Sequence, residues 1–192
     1  MRLRLVKEPF DDTDYIFELK HDGFRAVAYL YNGECKLISR NMRFMRFDSL
    51  RKALAKLPVL DAILDGEIVC LDNEGISRFN HLLNGKQPVF YAFDLLWING
   101  EDIRQSPLLE RKQRLSGLIR SGQFERIVCA QHIDGTGKQF FQEICARDLE
   151  GIVAKRKLST YKDDGNGWLK VKNRSYSQME GRHELLTRKR SQ

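Results

Sequence analysis

No stretch of this 192-residue chain approaches the roughly 18 to 20 consecutive apolar residues that a membrane-spanning helix needs. The opening residues, Met1-Arg2-Leu3-Arg4-Leu5-Val6-Lys7, lack the apolar core and small-residue cleavage site of an export signal. Neither membrane insertion nor export is expected, and a cytoplasmic location is the simplest expectation. Cysteine is sparse. Cys35, Cys70, Cys129 and Cys145 lie far apart, form no C-x-x-C pair and mostly sit among apolar residues. That pattern argues against a zinc site and for buried, reduced thiols. There is no internal repeat and no low-complexity tract.

What is present is enough apolar material, 42% of residues, to bury one core or two adjoining ones without disulfide or metal staples. The charge is uneven. Residues 1–149 carry 22 Lys and Arg against 21 Asp and Glu, whereas residues 150–192 carry 11 against 5, so nearly all of the net +7 lies in the last segment. Such clustering suits a polyanionic partner, because cations that contact phosphates release counterions. A solvated basic tail is the alternative.

Apolar alternation predicts a strand at Tyr15–Leu19, a tight connection at Lys20-His21-Asp22-Gly23 and a strand at Arg25–Tyr31. Asn32-Gly33 is a hairpin signal leading into Glu34–Ser39. Phe47, Leu50, Leu54 and Leu57 have helical spacing, and strand character returns at Ala62–Leu71, interrupted by Asp65, Gly66 and Glu67. Val89–Ile98 reads as a strand broken only by Asp94, and Leu108–Ile119 as an amphipathic helix. A strand at Arg126–Ala130, a helix near Lys138–Arg147 and strands at Gly151–Lys155 and Trp168–Val171 follow, with a loop at Asp163–Gly167 and a frayed end at Leu185–Gln192. Hairpins first, helices in the middle and strands last argue for an α+β protein with largely antiparallel sheets flanked by helices, rather than regular βαβ alternation.

Charged residues that interrupt apolar strands need a partner or a ligand, since burying an unpaired charge is expensive. Lys20, Glu67, Asp94, Glu150, Lys170 and Lys172 all fit that description. Any one of them alone is more often a solvated strand edge. Their sequence contexts say more. Lys20-His21-Asp22-Gly23-Phe24-Arg25 resembles motif I, K-x-D-G-x-R, of the covalent nucleotidyltransferases: DNA ligases, RNA ligases and mRNA capping enzymes. Ser39-Arg40-Asn41 resembles motif Ia, Leu64–Val69 motif III, Phe90–Asp94 motif IIIa, Glu150–Lys155 motif IV and Trp168–Lys172 motif V, all in the family's order. Pro9-Phe10-Asp11-Asp12 resembles the bacterial ATP-dependent, end-joining type of DNA ligase.

The resemblance implies the ATP-grasp-like adenylation fold over residues 1–174, followed by a basic tail at 175–192. It also implies ATP as substrate with Mg²⁺ or Mn²⁺, and AMP carried covalently on Lys20. Lysine attacks a phosphate only as the neutral amine, a form that surrounding cations favour. Lys170 and Lys172 join Lys20 as implied catalytic residues. Glu18 and Leu19 would read the adenine edge, Phe93 would stack on the base, and Val153 would pack on its other face. Arg25 and Glu67 would hold the ribose, and Arg40 would complete the nucleotide site. Glu150, with Glu67 and Asp22, would face the metal. A core aromatic is the alternative to stacking for Phe93; His21, at a position the motif leaves open, suggests a proton shuttle, against which a satisfied surface imidazole is the expectation. Arg40, Arg43 and Arg46, interleaved with Phe44 and Phe47, suit contacts to DNA phosphates around a nick, although Arg43 and Arg46 could instead begin a helix.

Full ligases continue after motif V into an oligonucleotide-binding (OB) β-barrel whose basic residues, motif VI, orient pyrophosphate during lysine adenylation. The chain ends before one, so the expectation is a fragment or a stand-alone domain, with slow self-adenylation and better sealing of a pre-adenylated nick. The implied partners are nicked or broken duplex DNA and a domain or protein that supplies the OB fold, without a membrane; in a bacterium the location would be the nucleoid. An RNA ligase, a capping-type enzyme and a non-catalytic module that binds nicks or ends are the competing readings.

Overall fold

The computed structural model describes residues 2–83, 87–122, 124–162 and 167–179. In chain order its elements are β1 (Leu3–Leu5), β2 (Tyr15–Leu19), β3 (Phe24–Tyr31), β4 (Glu34–Ser39), α1 (Asp48–Leu54), β5 (Asp61–Val69), α2 (Phe79–Leu83), β6 (Val89–Ile98), β7 (Glu101–Asp102), α3 (Leu108–Arg120), β8 (Ile127–Cys129), β9 (His132–Asp134), α4 (Gly137–Ala146), β10 (Gly151–Arg156) and β11 (Trp168–Lys172), closed by a 3-10 turn at Ser177–Met179. The expected loop at Asp163–Gly167 lies, except for Gly167, outside the described residues, as do the basic segment from Gly181 and the end at Leu185–Gln192. Among the described residues no helix is long and apolar enough to cross a membrane.

The strands form two sheets. One runs β1-β11-β10-β2-β9, the other β4-β3-β5-β6-β7 with β8 against β6. Pairing is antiparallel except for β1 with β11 and β6 with β8, so the expected α+β class with largely antiparallel sheets is what the chain adopts. Asn32 and Gly33 take φ of 48° and 75°, the left-handed pair that a two-residue turn needs to match the twist of β3 and β4. Period-two alternation along β3 buries Ala26, Ala28 and Leu30 against α1 and α3 and turns Arg25 to the opposite face. A second, smaller core lies between the other sheet and α4, around Phe17, Ile144, Ile152, Ala154 and Val171.

Three expectations need adjusting. β5 runs unbroken through Asp65-Gly66-Glu67, absorbing them as register shifts against β6 between Ile63 and Leu64 and between Asp65 and Gly66. α1 begins at Asp48, not at Phe47, so Arg43 and Arg46 belong to the preceding turn. That turn is closed by Ser39 N–H donating to the Arg43 carbonyl (2.9 Å) and Met42 N–H donating to the Ser39 carbonyl (2.9 Å). The junction expected at residue 174 runs through packed structure: Tyr176 is buried, and the Ser177 amide donates to Asp148 at 2.9 Å.

Candidate nucleotide-binding active site

β2 belongs to the five-stranded sheet and β3 to the other, so the four residues Lys20–Gly23 carry the chain from one sheet to the next. A cleft of about 430 Å³ opens beside this crossing, between the two sheets. Glu18, Leu19, Lys20 and Val153 line it from the five-stranded side, and Arg25, Glu67 and Phe93 from the other. Leu3, His21, Lys155 and Trp168 also line it; sequence reading assigns Leu3 no role, places Lys155 and Trp168 in motifs IV and V without assigning them one, and offers His21 only as a proton shuttle set against a surface imidazole. Lys155 was nevertheless legible, because it lies two residues after Val153 on one strand and so shares its face.

The position of the lysine is set by backbone. Lys20 N–H donates to the Gly151 carbonyl at 2.9 Å, and Gly151, at φ 143°, lies so close to β11 that a Cβ there would sit 2.1 Å from the Val171 carbonyl oxygen. Only glycine fits that approach. Lys20 Nζ then lies 2.7 Å from Glu150 Oε1. The other Glu150 oxygen is buried without a hydrogen-bond partner among the described residues. Burial pushes the neighbouring Glu67 carboxyl up to about 8, with Lys20 only partly opposing the shift.

Deeper in the cleft, Arg25 makes a bidentate pair with buried Asp65, at 3.0 Å from Nε and 2.6 Å from Nη2. The Tyr161 hydroxyl donates to the same carboxylate at 2.7 Å. Phe93 and Trp168 meet edge to face at 5.5 Å, and the Lys155 ammonium lies 4.4 Å and 4.0 Å from their ring centres. Glu18 is held by two ammonium groups, Lys155 at 2.7 Å and Lys112 at 2.5 Å. Burial alone would raise its carboxyl, but Lys155 and Lys112 outweigh that and hold it below the usual range. His21 is no surface imidazole: its ring lies 4.0 Å from that of Tyr91, its Nδ1 is buried without a hydrogen-bond partner, and burial depresses it to about 4.

The remaining candidates divide. Lys170 and Lys172 alternate on β11 and so share one face. Burial lowers the Lys170 ammonium, and the nearby charges of Lys172, Lys20 and Arg40 lower it further. Asp22, expected at the metal, is buried away from the cleft lining: its amide donates to Ser77 Oγ at 3.5 Å, and the Tyr176 hydroxyl donates to its carboxylate at 3.1 Å. Arg40, Arg43 and Arg46 are exposed around the turn between β4 and α1. Among the described residues no three His, Cys, Asp or Glu side chains converge as a ligand set. Asp94 is consumed by Arg111, with which it forms a fully buried bidentate pair at 2.8 Å to each oxygen.

The sequence pattern of the family described as ATP dependent DNA ligase domain matches residues 4–172. The chain belongs to this family. It is 31% identical over 189 residues to the SPbeta prophage-derived DNA ligase-like protein LigB of Bacillus subtilis, covering 93% of this chain and 68% of that one. It is 33% identical over 177 residues to the multifunctional non-homologous end joining protein LigD of Pseudomonas aeruginosa, covering 88% of this chain but only 21% of the relative. Among solved structures, the ligase domain from M. tuberculosis LigD superposes with a TM-score of 0.76 at 28% identity, covering 88% of this chain and 58% of that one. Mycobacterial DNA ligase D complexed with ATP and MES gives 0.73 at 26%, covering 88% and 60%. This ligase-family chain therefore has the adenylation fold that its motifs imply, and it spans between about a fifth and two thirds of the relatives it matches.

Proposed function

We propose that the chain performs the adenylating chemistry of a DNA ligase acting in end joining and repair. Lys20 Nζ attacks the α-phosphate of ATP, and a P–N bond forms as the bond to pyrophosphate breaks. The AMP then passes to a DNA 5′-phosphate, and the 3′-hydroxyl across the nick displaces it. One observation carries this reading: a single cleft is lined by Lys20 and by an anionic acceptor, Glu18, and the cation Lys170 stands near enough to Lys20 to feel its charge. An adenosine fits with its amino group toward Glu18, its ring between Phe93 and Val153, and its ribose at Arg25 and Glu67. A stacked base contributes on the order of 1–3 kcal/mol.

Attack requires the amine to leave Glu150. That exchange would free a carboxylate whose second oxygen is already without a hydrogen bond. Glu150, with Glu67 beside it, fits Mg²⁺ or Mn²⁺, an ion that would neutralise phosphate charge when bound. Lys170 and Lys172 would steady the departing pyrophosphate, and Arg40 the nucleotide phosphates. Asp22, tied to Ser77 and Tyr176, would act by holding the Lys20–Gly23 crossing in place. Arg40, Arg43 and Arg46 would grip duplex phosphates. An OB barrel, in the same polypeptide or in a separate protein, would complete lysine adenylation, and the complex of mycobacterial DNA ligase D with ATP supports the choice of nucleotide. In a bacterial cell such a protein would work at the nucleoid.

Intact mass before and after incubation with ATP and Mg²⁺, beside Lys20→Ala treated identically, tests the core of this. The expected result is one added AMP on the parent and none on the variant. A parent that is never adenylated, even after pyrophosphate stripping and with a pre-adenylated nick left unsealed, would overturn the reading in favour of a non-catalytic end-binding module.

A further inference from the structure

Lys112 belongs to α3, which packs on the six-stranded sheet, yet its ammonium reaches across to the other sheet. Nζ lies 2.5 Å from Glu18 Oε1 and donates to the Ala130 carbonyl at 3.1 Å. Ala130 stands where the chain returns from β8 to β9, and Glu18 stands two residues before the outward crossing at Lys20–Gly23. One ammonium therefore ties together both passages of the chain between the sheets. Lys112 does not line the cleft and is 5% exposed, while Glu18 lines it and is 3% exposed. Along α3 the buried stripe runs Leu108, Lys112, Leu115, Ile119, so Lys112 takes a position where an apolar side chain would satisfy packing. A buried ion pair is seldom worth more than such a residue, so stability alone does not account for it.

The consequence for Glu18 is chemical. Each of its oxygens already meets a cation, Oε1 the ammonium of Lys112 and Oε2 that of Lys155. A charged carboxylate has lone pairs and no proton, so it accepts from an exocyclic amine and faces a carbonyl with repulsion. Once protonated it can donate to that carbonyl. The other titratable groups near it are His21 from the crossing, His132 opposite it on β9, and Cys129 from β8.

We infer that Lys112 is a specificity-determining positioning residue: by holding one oxygen of Glu18 it keeps the cleft floor a pure acceptor, which takes the amino group of adenine and rejects the carbonyl of guanine. The inference rests on the reading of the cleft as an ATP site. Lys112 touches neither nucleotide nor phosphate; it acts through Glu18.

Equilibrium dialysis of radiolabelled ATP and GTP against the full chain, at pH 8 and pH 5.5, tests it, with covalent labelling read separately on the same samples. The parent should prefer ATP at both pH values. Lys112→Met, which continues the apolar stripe, should lose about tenfold or more of the ATP-over-GTP preference, with the loss larger at pH 5.5 as Glu18 gains a proton. Lys112→Arg should restore it. His21, already depressed to about 4, stays neutral across this window. Glu18→Gln, whose amide can donate, should admit GTP with Lys112 intact, and it carries the test should the methionine variant fail to fold. A residue that merely holds structure would lower both affinities together, and an unchanged ratio in Lys112→Met and Glu18→Gln overturns the inference. A parent that binds neither nucleotide overturns it together with the ATP reading. A parent that binds ATP selectively but is never labelled overturns only the proposed chemistry, and the ratio still decides the role of Lys112.

Discussion

An imidazole wedged against the Tyr91 ring, with its Nδ1 buried and unsatisfied, resists protonation, and this ties His21 to the acid stability of the protein. Its folded value is about 4 against 6.5 for the free side chain. Below pH 6.5 the unfolded chain takes up a proton that the folded one refuses. The contribution of His21 is therefore complete above pH 6.5 and is lost as pH falls toward 4. Glu67 runs the other way: its carboxyl, raised to about 8, favours the folded state at low pH and ceases to do so as pH rises from 4.5 through 8. Comparing two variants that both retain Glu67 removes that contribution. Between pH 7 and pH 5 the parent should lose about 2 kcal/mol more stability than His21→Asn, read from urea midpoints; equal losses would sink the assignment. His21 also marks where residue-level reading stopped. Lys20 stood out as a charge interrupting an apolar strand, and the family resemblance added Glu18 and Arg25, but nothing in the sequence signals that the variable motif position is packed against Tyr91. Lys112 hid for a different reason: a lysine in an amphipathic helix ordinarily reads as solvated.

At the scale of elements, α3 is a strut. Besides Lys112, its Arg111 pairs with Asp94 and also donates to the carbonyls of Ser106 at 2.6 Å and Ser159 at 3.0 Å, so one guanidinium joins β6, the start of the helix and the segment after β10. Removing it strands a buried carboxylate. Arg111→Met should cost about 3–5 kcal/mol in chemical denaturation, and adding Asp94→Asn should recover part of that loss. A cost below about 1 kcal/mol would show that the pair is not the strut described. The long elements were legible because alternation or helical spacing persists over five or more residues, as in β2, β3, β6 and α3. Strands β1, β7 and β9, of two or three residues each, were not. β1 and β9 exist through pairing with distant segments, such as Leu3–Leu5 alongside Trp168–Lys170, of which local pattern holds no trace, whereas β7 is the short return of a hairpin through Asn99-Gly100 whose local turn signal went unread. Asp94 fell between these cases: its burial was readable, but its partner lies 17 residues away on another element.

At the scale of the whole molecule, the proposed DNA partner would meet a protein with most of its net charge in its last segment. Arg40, Arg43 and Arg46 ring an exposed turn, and Arg40 lies near enough to Lys170 on β11 to lower its ammonium. If that turn holds duplex phosphates, affinity for nicked DNA should fall steeply with salt. Each of Arg43→Ala and Arg46→Ala should weaken binding for all sequences alike and reduce the log-affinity against log-salt slope by about 1. An unchanged slope would move the contact elsewhere.

Among the described residues the chain passes between the sheets twice, at Lys20–Gly23 and at Ala130–Gln131. Both links are fastened to α3 by the Lys112 ammonium. The amine that would carry the nucleotide sits on one of them. The chain thus holds its workpiece at a seam: Arg25, Glu67 and Phe93 face the cleft from one sheet and Glu18 and Val153 from the other, so the atom to which everything would be delivered stands where the two meet.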